Sequence, residues 1–188
     1  MWINIFLIFF LATQIIVYSS YSIESYLWLC KINLFLTIFG ILFKNKLLIS
    51  MAFVGGLARF SIWNLSFIIN LFTNYNLFNV TAYIFSLGTS LTIKIISLYH
   101  IFLPIILIFF LKKIGYDSRA FIFSTILYWF VIIITYFFTI KSNNINFVFC
   151  ASTYNWSISD QQWVIFLLIF EPILFILPVH FFCKYKFK

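Results

Sequence analysis

Residues 120–140 read AFIFSTILYWFVIIITYFFTI, and no charged side chain interrupts them. A helix crosses the hydrocarbon layer of a bilayer, about 30 Å, with about 20 mainly apolar residues, because each residue rises 1.5 Å. The stretch therefore predicts a transmembrane α-helix. Just before it, Gly115-Tyr-Asp-Ser-Arg119 reads as a tight hairpin, in which Gly115 can end one helix and Asp117 or Ser118 can cap the next. Working outward, Trp2–Tyr18, Tyr26–Phe43 and Ile95–Leu111, extended backward by Thr92, meet the same length test, and Gln162–Phe182 meets it with polar interruptions.

Composition agrees with this reading. The chain has 188 residues, 64% hydrophobic and 9% charged, against about 25% charged in ordinary soluble domains. A soluble domain of this length cannot bury so much apolar surface, whereas lipid solvates it directly. The expected fold is all-α, a polytopic transmembrane helical bundle forming a single domain over residues 1–188. The first segment lacks a basic leader and an A-x-A site, so an uncleaved first helix is expected rather than a signal peptide. The abundance of Phe, Ile, Asn, Tyr and Lys points to an AT-rich genome as source.

The net charge of +8 comes from basic residues scattered between apolar runs. They form no continuous stripe of the kind that phosphate backbones require, so no nucleic-acid partner is expected. They read instead as topology signals. Lys44 and Lys46, Lys112 and Lys113 with Arg119, and the tail lysines 184, 186 and 188 mark cytoplasmic flanks under the positive-inside rule. Parity then requires an even number of crossings between Lys46 and Lys112. Two crossings give six spans in all, and eight result if residues 47–91 form short or broken helices. Leu47–Phe60 and Ser61–Phe72 read as one long helix or two short ones, because Gly55-Gly56 and Arg59 interrupt the run. Asn74-Tyr-Asn76 reads as a turn. Both termini are expected in the cytoplasm, the location is a cell membrane, and Lys141–Gln161 is the long external loop. Trp28, Trp129, Trp156 and Trp163 are expected near span ends.

Few residues in the apolar runs could carry chemistry. His100 stands in Ile95–Leu111, with Ser97 and Lys94 one and two turns earlier on the same face. Pro104, four residues on, cannot donate to the His100 carbonyl, which predicts a free backbone acceptor and a kink. The alternative is a neutral histidine serving helix packing. Glu171 lies in the last span, where Pro172 and Pro178 free the carbonyls of Leu168 and Leu174. An unpaired carboxylate there would cost roughly 3 kcal/mol or more, so a partner among Lys31, Arg59, Lys94 and His100 is expected. Arg59, Trp63 and Asn64 form a second polar group after Gly55-Gly56, read either as binding residues or as close helix packing with a snorkelling arginine. His180 reads as interfacial. Cys30, Cys150 and Cys183 have no metal-ligand spacing. No Walker, GxGxxG, HExxH, GxSxG or zinc pattern occurs, and no cofactor or metal is expected.

Ser97-Leu-Tyr-His-Ile-Phe-Leu-Pro104, Gly115-Tyr-Asp-Ser-Arg-Ala120, Asn143-Asn-Ile-Asn-Phe-Val-Phe149 and Leu177-Pro-Val-His180 together resemble a family of uncharacterised multi-pass bacterial membrane proteins. The likeness covers the C-terminal half, with Ser118, Phe147 and Val179 departing from the pattern. It implies fold and a bacterial inner membrane, without an activity. More distantly, the histidine, Leu-Pro and Tyr-x-Ser-Arg turn are similar to the androgen-induced intramembrane hydrolases of fatty-acid esters. That similarity implies a histidine and threonine pair, with His100 as base and Thr37 or Thr89 in the threonine's place.

Three functional classes follow. One is a structural or accessory membrane subunit, with membrane lipid, a second copy or another membrane protein as partner. The second is an intramembrane lipid hydrolase or acyltransferase, with His100 as base for a hydroxyl and Asn64 near the oxyanion. The third is a small transporter relaying protons or ions through Lys94, His100 and Glu171 beside proline-broken helices.

Overall fold

The computed structural model describes residue 10, residues 12–17 and residues 22–187. The expected first span, Trp2–Tyr18, falls largely outside these residues. Those described are all-α, and four of their helices are long and apolar enough to cross a membrane. The chain runs through a shorter apolar helix α1 (Leu29–Leu42), then α2 (Lys46–Thr73), α3 (Leu91–Ile114), α4 (Ala120–Phe138) and α5 (Asp160–Lys186).

The uncertain stretch resolves into a single helix. Asn45 caps α2 by accepting the Leu48 N–H at 3.1 Å, and Asn74, in the left-handed region at φ 57°, ends it 28 residues later. Gly55 and Gly56 are points of close approach inside it, not breaks. A Cβ on Gly55 would lie 3.1 Å from the Asn33 side-chain oxygen of α1, and one on Gly56 would lie 3.3 Å from Asn33 Cγ. Residues 77–90 follow as short turns of helix between α2 and α3. Thus two long helices, α2 and α3, join Lys46 to Lys112.

The core gathers around α2, which packs on α1, α3, α4 and the end of α5. Leu34, Ile38, Phe53, Phe60, Leu107 and Ile132 are buried there. The outward faces are equally apolar. Phe102, Ile105 and Phe109 on α3, Ile122, Ile126 and Phe130 on α4, and Ile165, Ile169 and Ile173 on α5 are all exposed at helical spacing. Such stripes far exceed the exposed apolar patches of soluble monomers, and lipid is the solvent that suits them.

At one end, Gly115 (φ +78°, ψ 178°) closes α3 with its N–H on the Leu111 carbonyl at 2.8 Å, at a positive φ that suits glycine but with an extended ψ rather than the left-handed helical one. Asp117 accepts from the Arg119 backbone N–H at 3.0 Å just before α4 begins. At the other end, residues 139–159 are ordered by asparagines. Asn144 and Asn146 have positive φ, and Asn146 holds the start of α1 by accepting the Leu29 N–H (2.9 Å) and donating to the Leu27 carbonyl (2.8 Å).

Candidate functional site

Two separate polar centres lie inside the helical bundle, and their chemistry starts from prolines. A proline removes one N–H and leaves the carbonyl four residues earlier without its helical donor. Between helices that carbonyl must find another.

The first centre is His100, whose side chain is buried. The helix tightens at Leu98, where the Ile101 N–H bonds the Leu98 carbonyl at 3.0 Å. That leaves the Ser97 carbonyl for the imidazole, whose Nδ1 lies 2.8 Å from it. A carbonyl only accepts, so Nδ1 carries a proton. The ring stacks on Trp63 at 4.5 Å and Tyr99 at 4.1 Å, with Phe60 edge-on at 5.8 Å. Its backbone carbonyl, freed by Pro104, accepts from Asn64 Nδ2 at 2.9 Å. The predicted free acceptor is thus filled by α2. Asn64 Oδ1 has no hydrogen-bond partner among the described residues.

The second centre is Glu171 on α5. One carboxylate oxygen accepts from the Arg59 guanidinium of α2 and the other from the Tyr128 hydroxyl of α4. Arg59 also donates to the Gly55 carbonyl of its own helix, and its guanidinium lies over the Tyr128 ring at 5.1 Å. Charge-assisted bonds of this kind are the strong ones, and here they tie three helices. Immediately after Glu171 the helix widens into a π-helical segment, Pro172–Ile176. The Leu168 carbonyl, four residues before Pro172, accepts from Trp129 Nε1 at 2.7 Å. Trp129 was expected near a span end, and lies instead in the middle of α4, where its indole N–H serves this carbonyl. A narrow cleft beside the centre is lined by Asn33, Arg59, Ser124 and Tyr128.

The anticipated polar group therefore divides. Ser97 and Asn64 belong to the His100 centre, and Arg59 belongs to Glu171. Arg59 and Asn64 are five residues apart, and about 100° per residue turns them to different faces of α2. Lys94 is half-buried, its backbone N–H bonded to the Ser90 carbonyl at 3.2 Å, and neither centre includes it. The Thr37 hydroxyl donates to the Asn33 carbonyl at 2.7 Å, and Thr89 lies in the loop before α3. Lys31 is buried beside Tyr26, its ammonium 6.0 Å from the ring centroid. All three cysteines are free. Among the described residues no His, Cys, Asp and Glu cluster could hold a metal ion.

The roles of Tyr128, Trp129 and Asn146 are not read from the sequence, which offers Trp129 only as an interfacial residue. The first two are aromatic residues in an apolar run, where such residues usually pack or mark an interface. For Asn146 the signal was its place in the asparagine-rich stretch 143–146.

Outside the spans, the Arg119 guanidinium bonds the Asp117 carboxylate, at 2.8 and 3.1 Å, and holds its pKa below the ordinary aspartate range. Burial raises the Tyr116 pKa and keeps the phenol protonated, and its hydroxyl shares a hydrogen bond with His180 Nδ1 at 2.7 Å. Burial likewise raises the Cys150 thiol. A cleft of about 470 Å³ opens in the far loop beside the Lys141–Asp160 ion pair, 3.0 Å long, with Tyr136, Ser152, Asn155 and Trp156 on its walls. No protein-family model, curated protein or solved structure matches this chain.

Proposed function

We propose that this chain is a six-span protein of a cell membrane, in the bacterial case the inner membrane, with both termini cytoplasmic, acting as a structural or accessory subunit. The observation that carries this reading is the engagement of Glu171 by both Arg59 and Tyr128. A relay needs a carboxylate able to exchange its proton along a path, and a partly buried carboxylate bonded to an arginine and a phenol is instead a fixed tie between α2, α4 and α5. α2 and α3 supply the even number of crossings that parity requires, and the sequence Trp2–Tyr18 is apolar along the length expected of a sixth span. The similarity of the C-terminal half to bacterial multi-pass proteins supports the location.

One observation favours a second reading, an intramembrane lipid-ester hydrolase or acyltransferase. Because Ser97 holds the proton on Nδ1, neutral His100 presents Nε2 as a lone pair, the tautomer a general base needs. The hydroxyl it would activate must come from a side chain that approaches Nε2 or from the substrate.

A lipid-like serine-hydrolase probe separates the two. Purified wild-type protein in detergent is compared with a folded His100→Ala variant and a control hydrolase. The subunit reading expects no His100-dependent labelling and a loss of abundance for Glu171→Leu. Labelling that disappears with His100 would overturn it in favour of the hydrolase.

A further inference from the structure

Basic residues from three stretches far apart in sequence meet at one end of this bundle, and contacts hold them there. Lys46 starts α2 and reaches the hairpin, where a Cβ on Gly115 would lie 3.1 Å from its Nζ. The Asp117 N–H donates to Ser50 Oγ at 3.0 Å, which fixes the same hairpin to α2. The tail is fixed as well. The Phe187 carbonyl accepts from the Tyr116 N–H at 2.8 Å, and its ring is buried edge-on to Phe53 (6.3 Å) and Phe182 (6.0 Å). This seats the tail that carries Lys184 and Lys186 against the hairpin that carries Arg119, with Lys112 and Lys113 at the end of α3.

All of these cations, with Lys44, are exposed. Against them the segments carry one acid, Asp117, already paired with Arg119. Each cation flanks the end of an apolar helix, so the group lies at the depth of lipid head groups rather than out in water. Exposed Phe43 and Tyr185 stand among them, as aromatic residues do at membrane interfaces.

We propose that this end of the bundle, formed by residues 43–46, 112–119 and 184–187, binds the phosphate groups of anionic phospholipids. Cations near an anionic membrane surface add attraction residue by residue, and the seated tail presents them already ordered, which lowers the entropy lost on binding. The inference needs only that this end lies at a membrane surface. It holds whether the chain is a subunit or an enzyme.

The test uses purified protein in a neutral detergent. Short-chain phosphatidylglycerol, phosphatidylcholine, inorganic phosphate and a single-stranded oligonucleotide are titrated separately, with the thermal midpoint and retention in native mass spectrometry as readouts. Phosphatidylglycerol is expected to raise the midpoint and remain bound, and the other three to do neither. A Lys46→Gln, Arg119→Gln, Lys186→Gln variant should bind phosphatidylglycerol about tenfold or more weakly, since each cation near the surface is worth about fivefold. Should that variant not fold, Lys44→Gln with Lys186→Gln, which leaves the hairpin untouched, is expected to show a smaller loss of the same kind. Equal shifts from phosphatidylcholine, the same shift from phosphate or oligonucleotide, or wild-type affinity in the folded variants would overturn the proposal.

Discussion

The Asn64 side-chain amide donates to the His100 carbonyl at 2.9 Å, the acceptor that Pro104 leaves without a donor in its own helix. The same relationship recurs between Trp129 and the Leu168 carbonyl, four residues before Pro172. Pro104 and Pro172 thus each create a vacancy in one helix that a neighbouring helix fills, and the bond that replaces a local one is a long-range bond.

Asn64→Leu should destabilise the protein by about 1 kcal/mol, the range for one hydrogen bond inside a membrane protein. In a Pro104→Ala background, where residue 104 can donate to His100, that cost should shrink toward zero. A double-mutant cycle on reversible unfolding in mixed micelles reads the coupling, and additive losses would show that the two residues act independently.

Glu171→Leu leaves the partly buried Arg59 guanidinium without its carboxylate and should cost about 2–3 kcal/mol, below the range for a fully buried pair, because a lone charge between helices is far worse than a paired one. Removing both charges, with Arg59→Leu added, should recover much of that loss. Thermal midpoints of the single and double variants decide it, and a double variant no better than the single would place the main role of Glu171 in its bond to Tyr128.

Gly40 allows α1 and α2 to meet at their turn. A Cβ there would lie 2.7 Å from Ile49 Cγ1 and 3.0 Å from the Ile49 backbone nitrogen, and backbone cannot step aside as a side chain can. Gly40→Ala is therefore expected to cost about 1–3 kcal/mol by overpacking, despite the better helix propensity of alanine. A midpoint equal to or above wild type would contradict this.

Arg119 lowers the pKa of Asp117. A carboxylate with a depressed folded pKa contributes stability that is present above its unfolded value, about 3.9, and is lost as pH falls through the folded one. Arg119→Gln should accordingly raise the Asp117 pKa in an NMR titration. Its effect on stability should be visible at neutral pH and vanish in acid. An unchanged titration would remove the ion pair from the account of the hairpin.

Six spans with cytoplasmic termini predict that Ser157→Cys, in the far loop, reacts with an impermeant thiol reagent in intact cells, while Lys186→Cys reacts only after permeabilisation, both in a background lacking the native cysteines. The reverse pattern would invert the bundle.

The long helices were legible in the sequence because lipid-facing runs need only length and apolarity. The difficulty lay in residues 47–91, where Gly55-Gly56 and Arg59 look like interruptions when read locally. They are instead the points at which α2 receives Asn33 and reaches Glu171, and those partners lie on other helices. For the same reason the need of Glu171 for a cation could be stated, but Arg59 could not be picked from four candidates. The open carbonyl of His100 followed from Pro104 alone, since a helix fixes which acceptor a proline strands. That Asn64 fills it depends on the packing of α2 against α3. Tyr128 carried no signal, being one more aromatic residue in an apolar run.

The π-helical segment Pro172–Ile176 sets what the last helix can tolerate in length. Glu171 and His180 are nine residues apart, which on a regular α-helix puts them about 180° out of phase, since each residue turns about 100°. The widened turn absorbs roughly one residue of that count and leaves them about 80° apart, so that Glu171 can meet Tyr128 while His180 meets Tyr116. A single-residue deletion within the widened turn would give a regular helix with the same phase, eight residues at about 100° each. A deletion between that turn and His180 would instead rotate the final turn away from the hairpin and carry Phe187 with it. The fold holds the phase of this helix fixed, and the widened turn is where a change of length can be absorbed.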